Sequence, residues 1–262
     1  MIRALYTAAT GMSAQQANLD TVANNLANSA TSGFRRRRLQ FEDMIYQNVV
    51  APGAAASTST TSAGLQIGLG TRPVSTEVVM TQGEFNQTGN QYDLAISGPG
   101  FFQVTRPDGT TAYTRSGNFH LNNQGQMTTA NGDALTPAIT IPSNATDVTI
   151  SQYGVVTATI PGQSTPAQLG TIQLATFSNP GGLNSIGGNL MLQTGSSGTP
   201  ITDNPGGSSG LGTLQQGYLE NSNVDVVEEF VQMVMAQRAY ESNSKVIHVA
   251  DDMYSQVNQL VR

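Results

Sequence analysis

The sequence predicts an α+β protein in which an N-terminal and a C-terminal helix, pairing as a coiled-coil-like element, flank a mainly β middle domain. Three observations carry this reading. Leu5, Met12, Leu19 and Leu26 recur every seven residues, with Ala8 and Val22 between them. Met233, Tyr240, Ile247, Tyr254 and Val261 repeat in the same way near the other end, with Ala236, Ala250 and Val257 three positions further on. Both are heptad seams. Between about Thr71 and Gly217 the apolar period falls to two, in short β-branched runs broken by turn formers.

In chain order, residues 1–33 read as an N-terminal assembly helix that stops among the turn formers Asn28, Ser29, Thr31, Ser32 and Gly33. Residues 34–70 read as a connector. It opens on Arg35 to Arg38 and continues through Phe41, Met44, Ile45 and Tyr46. From Ala51 to Gly64 it holds only Pro, Gly, Ala, Ser and Thr. That composition cannot bury enough apolar area to offset backbone ordering of roughly 1–2 kcal/mol per residue, so the stretch is expected to be mobile alone. Leu65, Ile67 and Leu69 follow at a spacing of two, which puts all three on one face of an extended strand.

Residues 71–217 read as the mainly β domain, with strand runs at Val74 to Met80, Tyr92 to Ile96, Phe101 to Thr105, Val148 to Ile150 and Thr171 to Phe177. Arg106-Pro107-Asp108-Gly109-Thr110 predicts a hairpin turn, because proline presets φ and glycine accepts φ > 0. Asn131-Gly132 predicts another. Residues 218–262 read as the C-terminal assembly helix. A short polar side chain of Asn221-Ser222-Asn223 is expected to cap it, with Asp225, Glu228 and Glu229 complementing the helix dipole.

Composition narrows the function. Of the 262 residues only 11% are charged, and the net charge is −6. A chain that neutralises phosphates needs surplus Lys and Arg, so nucleic acid is not expected as a partner. With no cysteine there is no disulfide framework or thiolate site. No run of eighteen apolar residues occurs, so no membrane insertion is expected, and the N-terminus lacks the apolar stretch of a Sec signal.

The catalytic inventory is nearly empty. Residues 148 to 202 contain no Asp, Glu, Lys, Arg or His. A Gly-x-Ser-x-Gly match centres on Ser208, but Asp203-Asn204-Pro205 and Leu211-Gly212-Thr213 flank it, where a nucleophile elbow needs a buried strand and a helix. A flexible loop is the plainer reading. His248 with Asp251 and Asp252 lies on one helix without a partner from another element, which reads as a solvated polar stripe, and His120 reads as a strand-surface residue. No enzyme, metal or cofactor is expected. Arg35 to Arg38, like most single-sign clusters, reads as a solvated face with a structural or subunit-contact role, with an anionic surface or nucleic acid as the alternatives.

Several separated motifs resemble the flagellar rod and hook axial proteins. They are Ala23-Asn24-Asn25-Leu26-Ala27-Asn28-Ser29-Ala30-Thr31-Ser32-Gly33-Phe34 with Arg35, Asp93 to Phe102, Thr114-Arg115-Ser116-Gly117-Asn118-Phe119, Gln216 to Asp225, and Gln237 to Lys245. Within that family, the segment around Ala51 to Gly70 resembles the insertion of distal-rod members, with a proximal-rod paralogue as the competing assignment. The resemblance implies a rigid helical tube of many copies that passes torque from motor to hook. It implies proximal-rod and hook proteins, surrounding ring proteins and the flagellar type III export apparatus as further partners. It also implies that the terminal helices pair on docking while the β domain faces outward. The expected assembly interface is Leu5, Met12, Leu19, Val22, Leu26, Met233, Tyr240, Ile247, Tyr254 and Val257, and Leu65, Ile67 and Leu69 are the expected stiffening anchors. From other classes, a hydrolase using Ser208 is opposed by the empty inventory. A surface or periplasmic β-rich binding module would have no need of two heptad ends.

Overall fold

Helix α1 runs over Ile2–Ala27 and helix α2 over Val226–Leu260, with the strands between them. The α+β class read from the sequence is the class observed. The computed structural model describes residues 2–50, 55–56, 59–60, 64–163 and 165–260. The chain divides into two units: Met1–Ala27, Arg37–Glu77 and Asp225–Arg262 form the first, and Asn28–Arg36 with Val78–Val224 the second.

In the first unit α1 and α2 pack against each other. Asn25 Nδ2 donates to Glu229 Oε2 at 3.1 Å, and a Cβ on Gly11 would approach Asn243 Nδ2 to 2.8 Å. Positions late in α1 thus meet positions early in α2, so the helices are antiparallel, and one register satisfies both contacts. Small side chains at Ala8, Ala14, Ala236 and Ala250 are buried and let the backbones approach.

The sequence placed the α2 cap within Asn221–Asn223, whereas Asp225 does the capping. Its Oδ1 accepts the amides of Val227 at 2.8 Å and Glu228 at 3.2 Å. Asn223 is committed elsewhere, as described below. Two ribbons complete this unit, Arg37–Asp43 with Thr71–Val78 and Tyr46–Val50 with Leu65–Gly68. Ala55–Ala56 pairs with Ser59–Thr60. The expectation of mobility for Ala51 to Gly64 otherwise falls outside the described residues, as does Val261 of the second heptad.

The second unit is built around the strand Phe101–Thr105, which pairs with Thr111–Thr114 on one side and shares its other edge between Ala134–Thr136 and Leu174–Thr176. Arg106–Thr110 forms the expected hairpin turn, and Asn131-Gly132 turns between Met127–Thr128 and Ala134–Thr136. Period two sorts the side chains of the central strand. Phe102 and Val104 enter the main core, where Phe102 meets Phe119 edge-on at 5.2 Å. Phe101 joins Tyr113, Phe177 and Met191 in a second cluster. A meander of Asp147–Ile150, Val155–Thr159 and Ala167–Thr171 adds Val148, Ile150 and Val156 to the main core.

The chain enters and leaves this unit on paired strands. Phe85–Gln87 pairs with Tyr218–Glu220, and Leu94–Ser97 with Thr213–Gln216. This pairing brings the motif Gln216 to Asp225 beside the motif Asp93 to Phe102.

Candidate assembly interface and the buried clasp

Of the expected interface residues, Val22 is buried, while Leu5, Met12, Leu19, Leu26, Met233, Ile247 and Tyr254 are half-buried. Tyr240 and Val257 are exposed. Leu65 is exposed, and Ile67 and Leu69 are half-buried. The α1-facing side of α2 carries Glu229, Met233, Ala236, Asn243, Ile247, Ala250 and Tyr254, at three- and four-residue spacing.

The opposite side of α2 also carries apolar residues, in two groups separated by Arg238 and Lys245, a feature the heptad reading missed. At 3.6 residues per turn, Val227, Val231, Val234, Met235, Val249 and Met253 fall away from the α1-facing stripe. They are exposed, Val227 by 72%, Val231 by 53% and Val249 by 54%. The signal was present in the sequence, but two opposed apolar stripes blur the amphipathic contrast by which one face is recognised.

Asn25 shows why the first motif needs an asparagine. Its Nδ2 donates to the Arg37 carbonyl at 2.8 Å and its Oδ1 accepts the Arg37 amide at 2.9 Å, so the side chain pairs with the backbone as a neighbouring strand would. Asn25 and Glu229 are both buried.

In the second unit three motifs converge on Glu220. Arg35 Nη1 lies 2.8 Å from Glu220 Oε1, and Arg115 Nη1 3.3 Å from Oε2. The Gly83 amide donates to Oε1 at 3.0 Å, and the Gly33 amide to the Glu220 carbonyl at 2.8 Å. Arg35 Nη1 also reaches the Thr81 carbonyl, and Arg115 Nη2 the Gly98 carbonyl at 2.7 Å. All three charged side chains are nearly inaccessible. Burial, then the neighbouring Arg35 charge, pushes the Arg115 guanidinium down to about 10, with Glu220 opposing the shift. Arg115 therefore remains cationic at neutral pH.

Asn223 closes the clasp. Its Oδ1 accepts the Arg36 amide at 2.6 Å, and its Nδ2 donates to the Val79 and Thr81 carbonyls, each at 2.9 Å. Gly33, with φ of 71°, has to be glycine, because a Cβ there would lie 2.6 Å from the Ser116 amide nitrogen.

The reading of Arg35 to Arg38 as a solvated face is thus corrected for Arg35, which is buried in an ion pair. Arg38 does face solvent, pairing with Glu77 at 2.7 Å. Sequence reasoning quoted Arg115 and Glu220 within motifs but assigned them no role, and it offered Asn223 only as a candidate helix cap. Their partners lie far apart along the chain, so no periodicity reveals them.

Among the described residues no catalytic arrangement accompanies these features. Ser208 is exposed in a turn, and its neighbour Ser209 donates to Asp203 Oδ2 at 2.6 Å, which holds that carboxyl below the usual range. Among the described residues no three His, Cys, Asp or Glu side chains group as metal ligands, and no helix is long and apolar enough to cross a membrane. Ser208→Ala is expected to leave folding and assembly unchanged, and a fluorophosphonate probe to leave the wild-type chain unlabelled. Stoichiometric labelling at Ser208 would contradict this.

Paired chain ends carrying a β unit between them, with a second apolar helix face uncovered, define a structural subunit built for assembly. The chain matches the flagella basal body rod protein family over residues 5–35, the flagellar hook protein FlgE/F/G D1 domain over 95–158, and the flagellar basal body rod FlgEFG protein C-terminal family over 215–260. It is 48% identical to the flagellar basal-body rod protein FlgG of Buchnera aphidicola subsp. Acyrthosiphon pisum, over 99% of this chain and 100% of that one. The corresponding protein of Caulobacter vibrioides is 46% identical over 99% of each chain, and that of Bacillus subtilis 38% identical over 100% of each. A solved structure, the Helicobacter pylori flagellar hook protein FlgE2, matches at 16% identity and a TM-score of 0.25, over 71% of this chain and 43% of that one. The chain belongs to the flagellar basal-body rod protein family: it is a structural component of the flagellar basal body and not an enzyme.

Proposed function

We propose that the chain builds the distal part of the rod, assembling with copies of itself into a rigid helical tube that passes torque from motor to hook. The observation that carries this reading is α2, which carries apolar residues on two opposite sides. One side is covered by α1, and the other leaves Val227, Val231, Met235 and Val249 in solvent. A helix with apolar residues on both sides belongs in an assembly, where neighbouring copies remove the second face from water. In this reading the ten interface residues named from the sequence hold the helix pair and its neighbours. Tyr240 and Val257, exposed in the single chain, are covered by another copy. Proximal-rod and hook proteins meet the ends of the tube, ring proteins surround it, and the type III apparatus exports the subunits.

Rigidity is assigned to the insertion. Tyr46–Val50 and Leu65–Gly68 form a two-stranded ribbon that presents Tyr46, Val49, Val50 and Leu65 to solvent. These apolar side chains, with Ile67 and Leu69, are anchors by which the ribbon grips a neighbouring subunit and opposes the sliding that lets a tube bend. Deleting Pro52 to Gly64 and imaging the filaments tests this. Curved or bendable tubes with intact subunit folding are expected, and unchanged straightness would contradict it.

A further inference from the structure

We propose that a groove beside Tyr92, in the second unit, binds a neutral glycan. The groove encloses about 450 Å³, within the range of small-ligand sites, and its lining contains no Asp, Glu, Lys, Arg or His. A phosphate or carboxylate would lose hydration there and gain no counter-charge. What the walls offer is neutral hydrogen bonding. Among the described residues, the side-chain polar atoms of Asn123, Gln124, Thr140 and Ser143 make no internal hydrogen bond. Amides and hydroxyls both donate and accept, which matches the hydroxyl and acetamido groups of a sugar. Tyr92, half-buried with its ring packed against the main core, supplies the flat apolar surface on which a sugar's C–H face rests.

The walls are preformed, which limits the ordering cost of binding. Asn122 Oδ1 accepts the amides of Gln124 and Gln126, each at 2.9 Å, and the Ile141 amide donates to the Gly125 carbonyl at 2.8 Å. Gly125 has φ of 74°, and a Cβ there would collide with the Ile141 carbonyl oxygen, so the turn is held hard against its neighbour. The same bonds argue against a peptide strand. Adding a strand needs a row of unused backbone groups, whereas those of Asn122, Gly125, Gln126 and Ile141 are engaged.

The full-length chain is titrated with N,N′,N″-triacetylchitotriose by calorimetry and ligand-observed saturation-transfer NMR. Saturable binding with a Kd on the order of millimolar is expected. It should weaken about tenfold in Asn123→Ala/Gln124→Ala, which removes two uncommitted hydrogen-bonding side chains at exposed positions. Thermal unfolding of that variant should match the wild type, and Gly125→Ala should weaken binding as well. No saturation by about 10 mM, equal affinity in the double variant, or equal competition by a neutral tripeptide amide would overturn the proposal.

Discussion

Glu220→Gln is expected to lower the stability of the second unit by about 3–5 kcal/mol, the largest effect of any single substitution considered. The carboxylate sits between Arg35 and Arg115 with its side chain fully buried, and the trio already carries one positive charge in excess. Neutralising Glu220 leaves two guanidinium groups facing each other away from water. The glutamine keeps the shape and an acceptor for the Gly83 amide, so the loss reports charge and not packing. Arg35 Nε and Nη2 find no protein acceptor, so besides Glu220 the two cations are met only by the neutral backbone carbonyls of Thr81, Ile96 and Gly98. Urea unfolding, followed by near-ultraviolet circular dichroism of buried Tyr113, measures the change. Arg35→Gln placed in the Glu220→Gln background is expected to recover part of the loss, because it removes one of the unpaired charges. By contrast, Glu77→Gln, which breaks the exposed pair with Arg38, should leave unfolding unaltered. Equal effects of Glu220→Gln and Glu77→Gln would show that the clasp does not hold the motifs together.

Leu19→Asp is expected to abolish assembly while the second unit still unfolds cooperatively. Leu19 is half-buried on α1, and the register set by Asn25 with Glu229 and by Gly11 with Asn243 brings its turn opposite that of Ala236. A carboxylate pressed into that seam has no cation among the side chains facing it, and enclosing it costs several kcal/mol. The fully buried apolar residues of the two helices are small, Ala8, Ala14, Val22, Ala236 and Ala250, so little other packing offsets that cost. Sedimentation velocity would read the loss of assembly, and the unfolding transition near Tyr113 the survival of the β unit. Loss of both together would overturn the separation of roles.

How far the sequence could be read follows from these same residues. The two helices were legible because Leu5 to Leu26 and Met233 to Tyr254 repeat with a period that little but a helix produces. The Arg106 to Thr110 hairpin was legible because proline and glycine dictate local dihedral angles. Asp225 was passed over as the cap because four short polar residues in succession, Asn221, Ser222, Asn223 and Asp225 around Val224, all suit the role locally. Only the tertiary bonds of Asn223 to Val79, Thr81 and Arg36 decide among them. Arg35 looked like a member of a solvated run for the same reason. Its burial depends on Glu220, and pairing across such a separation leaves no trace in local pattern. The outer face of α2 was hidden differently, by apolar residues on both sides of one helix.

The central claim is that the uncovered face of α2 is where copies meet. Negative-stain electron microscopy of purified wild type beside Val231→Asp/Val249→Asp tests it most directly. Both valines are more than half exposed in the single chain, so the substitutions should leave the subunit folded and its helical circular dichroism unchanged. The account predicts straight filaments from the wild type and dispersed subunits from the double variant at the same concentration. Filaments of equal length and abundance from both would contradict it.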